Sequence, residues 1–402
     1  MQTNYDFLII GGGVFGLSAA IELRKRHYQV GLLNPDTLPH HLAASTDISK
    51  IVRMDYGSDA LYFDMANQAI QAWKEWNERL GQVLYHEVGL LQLMQEDIEQ
   101  STQSFEWHNR QGLIERGYQP QLLDAQAIKD RYPAINTEYF PHALFNPNAG
   151  FVEAAAVIRL WANYARELGV VIHDHQAVSH LNITSNQLES VGTESGAIFS
   201  AGNVIVCAGA YTPYLLPELQ SQMKATGHPV FHFLPQHKTA FSSENLPVFT
   251  ADISNTGWYG FPVHPKEGVV KMARHTNGFT LHPTKDDRRV EDKEVNDFKN
   301  FLSSAFPIAK DDPIVFTRRC LYTDTLDGDF WIDQHPVIRG LSVASGGSGH
   351  GMKMGPVLGP LIADMAEGKE HPWLERFRWR SLSRDTIQKE EARFVVGGKL
   401  ES

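Results

Sequence analysis

The chain has 402 residues, 42% hydrophobic and 21% charged, and 36 Lys plus Arg against 47 Asp plus Glu give it a formal charge of −11. Such a length buries a large core and accommodates more than one domain, whereas the acidic balance disfavours nucleic acid, which needs a basic face. Two cysteines, Cys207 and Cys320, exclude a disulfide scaffold and a cysteine-rich zinc site, and no apolar run approaches the roughly 18 residues of a bilayer span. No basic region precedes the first apolar run, so a signal peptide is not expected. The closing GGKLES carries no peroxisomal Ser-Lys-Leu, and a cytoplasmic protein is expected.

From Asp6 to Asn34 the chain reads DFLIIGGGVFGLSAAIELRKRHYQVGLLN. Phe7 to Ile10 is a continuous apolar run, which predicts a strand buried on both faces. Gly11, Gly13 and Gly16 follow at the spacing of a dinucleotide-binding turn. The first permits a tight turn, the second lets backbone approach a pyrophosphate, and the third lets a helix pack on the sheet. Leu17 to Arg26 reads as that helix, with its N-terminal N–H groups toward the phosphates, and Tyr28 to Leu33 as the second strand. Such a strand normally ends on an acidic residue that binds the adenosine ribose. Here Asn34 holds that place, able to accept a hydrogen bond but uncharged, so the unit predicts a dinucleotide without saying which.

A loop, PDTLPHHLAASTD, leads into ISKIVRMDYGSD, where Lys50, Arg53 and Asp55 punctuate apolar residues. Leu61 to Leu80 reads as an amphipathic helix with Leu61, Met65, Ala69, Trp73, Trp76 and Leu80 on one face. Tyr85 to Met94 reads as a strand with a turn glycine, followed by polar helical sequence to about Tyr132. A helix from about Glu153 to Leu168, a strand near Val170 to His173 and a buried strand within Ala197 to Ala208 resume the βα rhythm. From His228 to about Phe316, aromatic and β-branched residues with frequent turns predict an antiparallel sheet. A strand at Gly340 to Ala344, the run GGSGHGMKMGP and a helix at Val357 to Met365 close the fold, and the charged tail WLERFRWRSLSRDTIQKEEARF packs over the surface. The interrupted βα layer predicts an α/β fold with a discontinuous Rossmann-type dinucleotide domain (1–84, 150–220 and 320–402). Beside it stands a substrate domain (85–149 and 221–319) with a mixed, largely antiparallel sheet.

Two regions carry further chemistry. In SGGSGHGMKMGP, Gly346, Gly347, Gly349 and Gly351 allow close backbone approach, and the following helix points its positive end to the same place. A positive dipole there suits a flavin, whose reduced form is anionic at its pyrimidine end. The other region is RRCLYTDTLDGDFWID. With GGGVFG, ISKIVRMDYG, GWYGFP, VVKMARHT, CLYTDTLDGDFWID and SGHGMKMGP in this order, the chain resembles, nearly end to end, the sarcosine oxidase group of FAD-dependent amine oxidases. That group includes sarcosine, pipecolate, saccharopine and fructosyl amino acid oxidases.

The resemblance implies FAD held covalently through the thiol of Cys320, with Arg318 and Arg319 lowering its pKa; Cys207, inside an apolar strand, takes the part of a buried structural thiol. It implies Lys271 near flavin N5, where a fixed positive charge assists oxygen, and Arg53 and Lys353 on the substrate carboxylate. His275 and His350 match histidines near the site, and Tyr259 and Tyr322 match aromatics around the ring. Trp258 replaces a tyrosine and is expected to re-shape the pocket. Lys50 stands where sarcosine oxidase carries arginine, as in the fructosyl amino acid and saccharopine branches. The implied cofactor-binding set comprises Gly11, Gly13, Val14, Phe15, Gly16, Asn34, Ser45, Lys50, Val178, Gly209, Cys320, Tyr322, Gly347, Gly349, His350, Gly351 and Lys353.

No metal site is expected. His173-Asp174-His175 reads as a solvated strand end, since neighbouring strand residues face opposite ways, and His40-His41 lies in a loop. The expected activity is oxidation of a carboxylate-bearing secondary amine at the carbon next to nitrogen, with imine hydrolysis and reduction of O₂ to H₂O₂, by a monomer. Alternatives are a flavin dehydrogenase that does not use O₂, or a biosynthetic enzyme that oxidises an N-methyl amine to an imine for cyclisation. A non-enzymatic dinucleotide sensor would leave Lys271 and Cys320 without purpose, and an NAD dehydrogenase would not be yellow.

Overall fold

Strand β1 (Tyr5–Ile10), helix α1 (Val14–Lys25) and strand β2 (Val30–Leu33) form the predicted unit in the computed structural model, which describes residues 5–383 and Thr386. β1 pairs in parallel with β2 on one side and with Ala201–Val206 on the other. The six-stranded sheet runs out to Val171–His173 beyond β2, and to Leu341–Ser345 and an antiparallel edge strand, Trp331–Gln334, on the far side. Residues of α1 and of the helices Ala60–Leu80, Ala154–Leu168 and Gly355–Ala366 share the core on one face. There Trp73 stacks on Trp161 with centroids 5.4 Å apart, a contact worth about 0.5–1.5 kcal/mol beyond the area it buries. On the other face Leu8, Ile10, Leu33 and Val204 pack with Leu188 and Val191 of a three-stranded antiparallel sheet.

A nine-stranded sheet forms the second layer. Its spine is a long antiparallel pair, Met223–Phe233 with Ile314–Thr325, in which His228 lies opposite Cys320. Leu90–Met94 and Val248–Ala251 form its parallel pair, so the sheet is mixed and largely antiparallel. A short sheet of Lys50–Val52, Gly150–Val152 and Tyr85–His86 marks where the chain passes between the two layers.

Some boundaries differ from expectation. α1 starts at Val14, three residues early, with Gly16 inside its first turn despite glycine's cost in helices. The predicted strand from Tyr85 to Met94 is two strands in different sheets. Within the strand-like stretch lies a helix, Asp292–Ala305, opened by a capping box of Glu291 and Glu294; its Phe298 stacks on Phe231 at 4.4 Å. The closing helix begins at Gly355. In the tail, Arg376 bridges Asp59 and Asp329, Arg380 pairs with Asp327, and Phe377 is buried. Positions 384, 385 and 387–394 of the predicted tail lie outside the described residues. Among those described, no helix is long and apolar enough to cross a membrane.

Candidate active site

The carboxyl end of β1 opens into a cavity of about 420 Å³, where parallel sheets place their ligands. Gly11 has φ +107°, and a Cβ on it would lie 2.5 Å from the Cys207 carbonyl oxygen. A Cβ on Gly16 would lie 1.9 Å from the Gly11 carbonyl oxygen, so only glycines let turn and helix close together. The Gly12 N–H donates to Asn34 Oδ1 at 3.1 Å, and Asn34 Nδ2 donates to the Asp36 carbonyl. Asn34 therefore braces the turn as well as facing the cavity. Ser45 Oγ accepts the Val14 N–H at 3.1 Å, at the start of α1. Gly13, Val14, Phe15, Val178 and Gly209 line the same cavity. Gly347, Gly349 and Gly351 reach it from the far end of the chain, where a Cβ on Gly349 would press to 2.6 Å from the Tyr322 ring. Gly16 acts one layer behind this wall.

Lys50 lines both this cavity and a smaller adjoining one of about 60 Å³. Its Nζ lies 3.8 Å from Cys320 Sγ and 3.3 Å from Asp47 Oδ2. Asp47 also accepts from Lys271 Nζ at 2.6 Å, and Lys271 donates to the Ser49 carbonyl at 2.5 Å. Burial alone would raise the Asp47 carboxyl, but Lys271, Lys50 and Arg318 outweigh it and hold it well below the usual carboxylate range. Burial pulls the Lys271 ammonium down to about 8, with Asp47 opposing. Burial also opposes charge on Lys50, yet Cys320 and Asp47 hold it above its ordinary value. His232, brought to about 4 chiefly by burial, places Nε2 3.9 Å from Asp47 Oδ1.

The smaller cavity gathers Arg53, Thr250, Tyr259, His275, Tyr322, His350 and Lys353. Arg53 is buried, its guanidinium 5.0 Å from the Tyr56 ring centre and 5.4 Å from that of Phe105, and its Nη1 has no hydrogen-bond partner among the described residues. The Lys353 ammonium lies 4.8 Å from the same Tyr56 ring. Nearby Asp55 commits its carboxylate elsewhere, accepting from Gln92 at 2.9 Å and Asn146 at 3.0 Å. Thr250 Oγ1, also buried, has no hydrogen-bond partner among the described residues. Tyr259 and Tyr322 bring their hydroxyls within 3.5 Å.

Several predicted residues take other parts. His350 lines the small cavity, but both ring nitrogens are engaged, with the Tyr56 hydroxyl at 2.9 Å and the Gly328 carbonyl at 3.2 Å, so it braces its loop. Trp258 does not re-shape the pocket. Alternation along its strand turns it into the apolar cluster of the second layer, stacked on Phe301 at 4.9 Å, while Tyr259 takes the cavity side. Of the arginines beside Cys320, Arg319 pairs with Glu294 on the opposite face of the strand, and Arg318 donates to the Thr46 and Ala43 carbonyls. The Lys50 ammonium lies 3.8 Å from the Cys320 sulfur. Cys320 and Lys271 are buried and line neither cavity. Cys207 is buried, its thiol pushed up by burial, and it lines the large cavity beside Gly11. His173 bonds the Tyr5 hydroxyl at 2.8 Å. Sequence reasoning missed Asp47 and Thr250. Asp47's one local signal is its place three residues before Lys50; Thr250 has none.

The sequence profile of the family described as FAD dependent oxidoreductase matches residues 6–365. L-saccharopine oxidase of Schizosaccharomyces pombe is 27% identical over 93% of this chain and 92% of its own. Monomeric sarcosine oxidase of a Bacillus species is 25% identical over 91% and 93%. Among solved structures, Amadoriase I of Aspergillus fumigatus superposes with a TM-score of 0.80 at 24% identity, covering 94% of this chain and 90% of that one.

Proposed function

The chain belongs to the FAD dependent oxidoreductase family, and from that premise we propose that it oxidises a carboxylate-bearing secondary amine, an N-substituted amino acid, with O₂ as electron acceptor. The residues present fit FAD. The turn that walls the large cavity closes only because Gly11 and Gly16 carry no Cβ, and Gly349 packs on the Tyr322 ring for the same reason; the adjoining cations suit an anionic reduced cofactor. Gly11, Gly13, Ser45 and the start of α1 would hold the pyrophosphate, and Gly347, Gly349 and Gly351 the ring system. When bound, FAD supplies the acceptor for a hydride from the carbon next to nitrogen and returns its electrons to O₂.

The single observation that carries the substrate class is Arg53 Nη1, a buried guanidinium nitrogen without a hydrogen-bond partner among the described residues. An unsatisfied buried donor on a charged group costs upward of about 1–3 kcal/mol, and a substrate carboxylate answers it with Lys353 alongside. Thr250 Oγ1 offers a second contact on the same wall. Held there, the substrate has its Cα–N portion aimed past Tyr259 and Tyr322 toward the large cavity. Lys50, Arg53 and Lys353 also place positive charge around the bound amine, which favours its neutral form, the form able to become an imine. Lys271, fixed by Asp47, supplies the charge for the oxygen step, and Cys320 beside Lys50 tethers the cofactor. The names of the relatives, sarcosine and saccharopine oxidase, agree with this substrate class.

A peroxide-coupled screen of N-alkyl amino acids, each beside its decarboxylated counterpart, tests the proposal. Turnover with stoichiometric peroxide for acids and not for the counterparts is expected. Equal turnover of both sets removes the clamp, and dye reduction without peroxide under O₂ makes the protein a dehydrogenase.

A further inference from the structure

Away from the site described above, Asp36, His40 and His41 converge in the loop after β2. One ligand atom from each lies within 4.8 Å of the other two. Asp36 Oδ2 and His41 Nδ1 are 3.6 Å apart, too far for a hydrogen bond. That separation is near the edge of about 3.4 Å that joins neighbouring ligand atoms around a tetrahedral ion with bonds of about 2.0–2.1 Å. The second carboxylate oxygen is already in use: Oδ1 accepts the Thr37 N–H at 2.7 Å and faces His175 Nδ1 at 3.5 Å. This orients the carboxylate and leaves Oδ2 for a ligand bond, as outer partners of metal-bound carboxylates do. The His40 and His41 rings stand side by side with centroids 5.1 Å apart.

We propose that Asp36, His40 and His41 bind a divalent transition-metal ion of the zinc class at the rim of the large cavity. Two imidazoles and one carboxylate suit Zn²⁺, Co²⁺ or Ni²⁺ and disfavour Mg²⁺ and Ca²⁺, which take all-oxygen sets. Three protein ligands leave room for water. His41 is exposed, so the ion enters from solvent without opening the fold. His40 lines the cavity beside Asn34 and Pro35, and Asn34 is tied to the Asp36 carbonyl. The ion therefore fixes the rim to which the glycine turn is braced.

The test uses the flavoprotein as purified, stripped with EDTA and titrated with ZnCl₂ by calorimetry, with Co²⁺ absorption as a second readout. One ion per chain in the micromolar range is expected, with no response to MgCl₂. His40→Ala/His41→Ala and Asp36→Asn are each expected to weaken uptake roughly 10–100-fold while circular dichroism stays unchanged. His237→Ala, at an exposed histidine elsewhere, is expected to have no effect. Absence of saturable Zn²⁺ uptake, or uptake undiminished in the folded variants, overturns the proposal.

Discussion

Lys271 is only 1% exposed, and its ammonium is answered by the Asp47 carboxylate and the Ser49 carbonyl. Burial brings its pKa down to about 8, so the charged form declines as pH rises through that value. If this charge supports the oxygen step, the rate of reoxidation falls above about pH 8, and flavin reduction does not share that limb. Asp47→Asn removes the counter-charge and is expected to move the limb to lower pH. Lys271→Met is expected to abolish the limb and slow reoxidation by roughly 10²–10³-fold, the range for loss of one preorganised donor. Stopped-flow mixing of reduced protein with O₂ across pH reads all three, and a profile unmoved by Asp47→Asn would sink the pairing. Lys271 was legible through VVKMARHT, whereas Asp47 was not, because its partner stands 224 positions away and no periodicity connects them.

At the scale of elements, Ile314–Thr325 shows how a strand sorts its side chains. Alternation turns Arg319 toward Glu294 on one face and places Cys320 and Tyr322 in a small cluster with Val230 and Ala273 on the other. Pairing with Met223–Phe233 fixes the register, so Cys320 is held against Lys50, at the start of the short strand Lys50–Val52, 270 positions earlier. If this thiol tethers the flavin, acid-precipitated protein stays yellow and the Cys320→Ala protein releases its colour. Colour lost from the parent on precipitation would end that assignment. The glycine turn, α1 and the Ala60–Leu80 helix were legible because each carries its pattern within one element. Asp292–Ala305 was passed over among aromatic and β-branched neighbours, although Val295, Phe298, Phe301, Leu302 and Ala305 have helical spacing and Glu291 and Glu294 mark its start.

Over the whole molecule, an acidic chain of net charge −11 concentrates three cations, Lys50, Arg53 and Lys353, around one small cavity. They come from the short strand Lys50–Val52 and the residue after it and from the turn before the last long helix, and Thr250, Tyr259 and His275 close the wall from the second layer. Motif order along the chain announced most of these residues. What it did not announce is which groups are satisfied: Asp55 accepts from Gln92 and Asn146, His350 is engaged by Tyr56 and Gly328, while Arg53 Nη1 has no hydrogen-bond partner among the described residues. The most direct measurement is anaerobic bleaching of the flavin by an N-alkyl amino acid found active in the screen, compared between the parent and Arg53→Gln. Bleaching by the parent at a substrate affinity roughly 100-fold tighter than in the variant, about 2.7 kcal/mol, with the decarboxylated amine equally poor for both, is the predicted result. The same affinity for the amino acid in parent and variant would contradict the account.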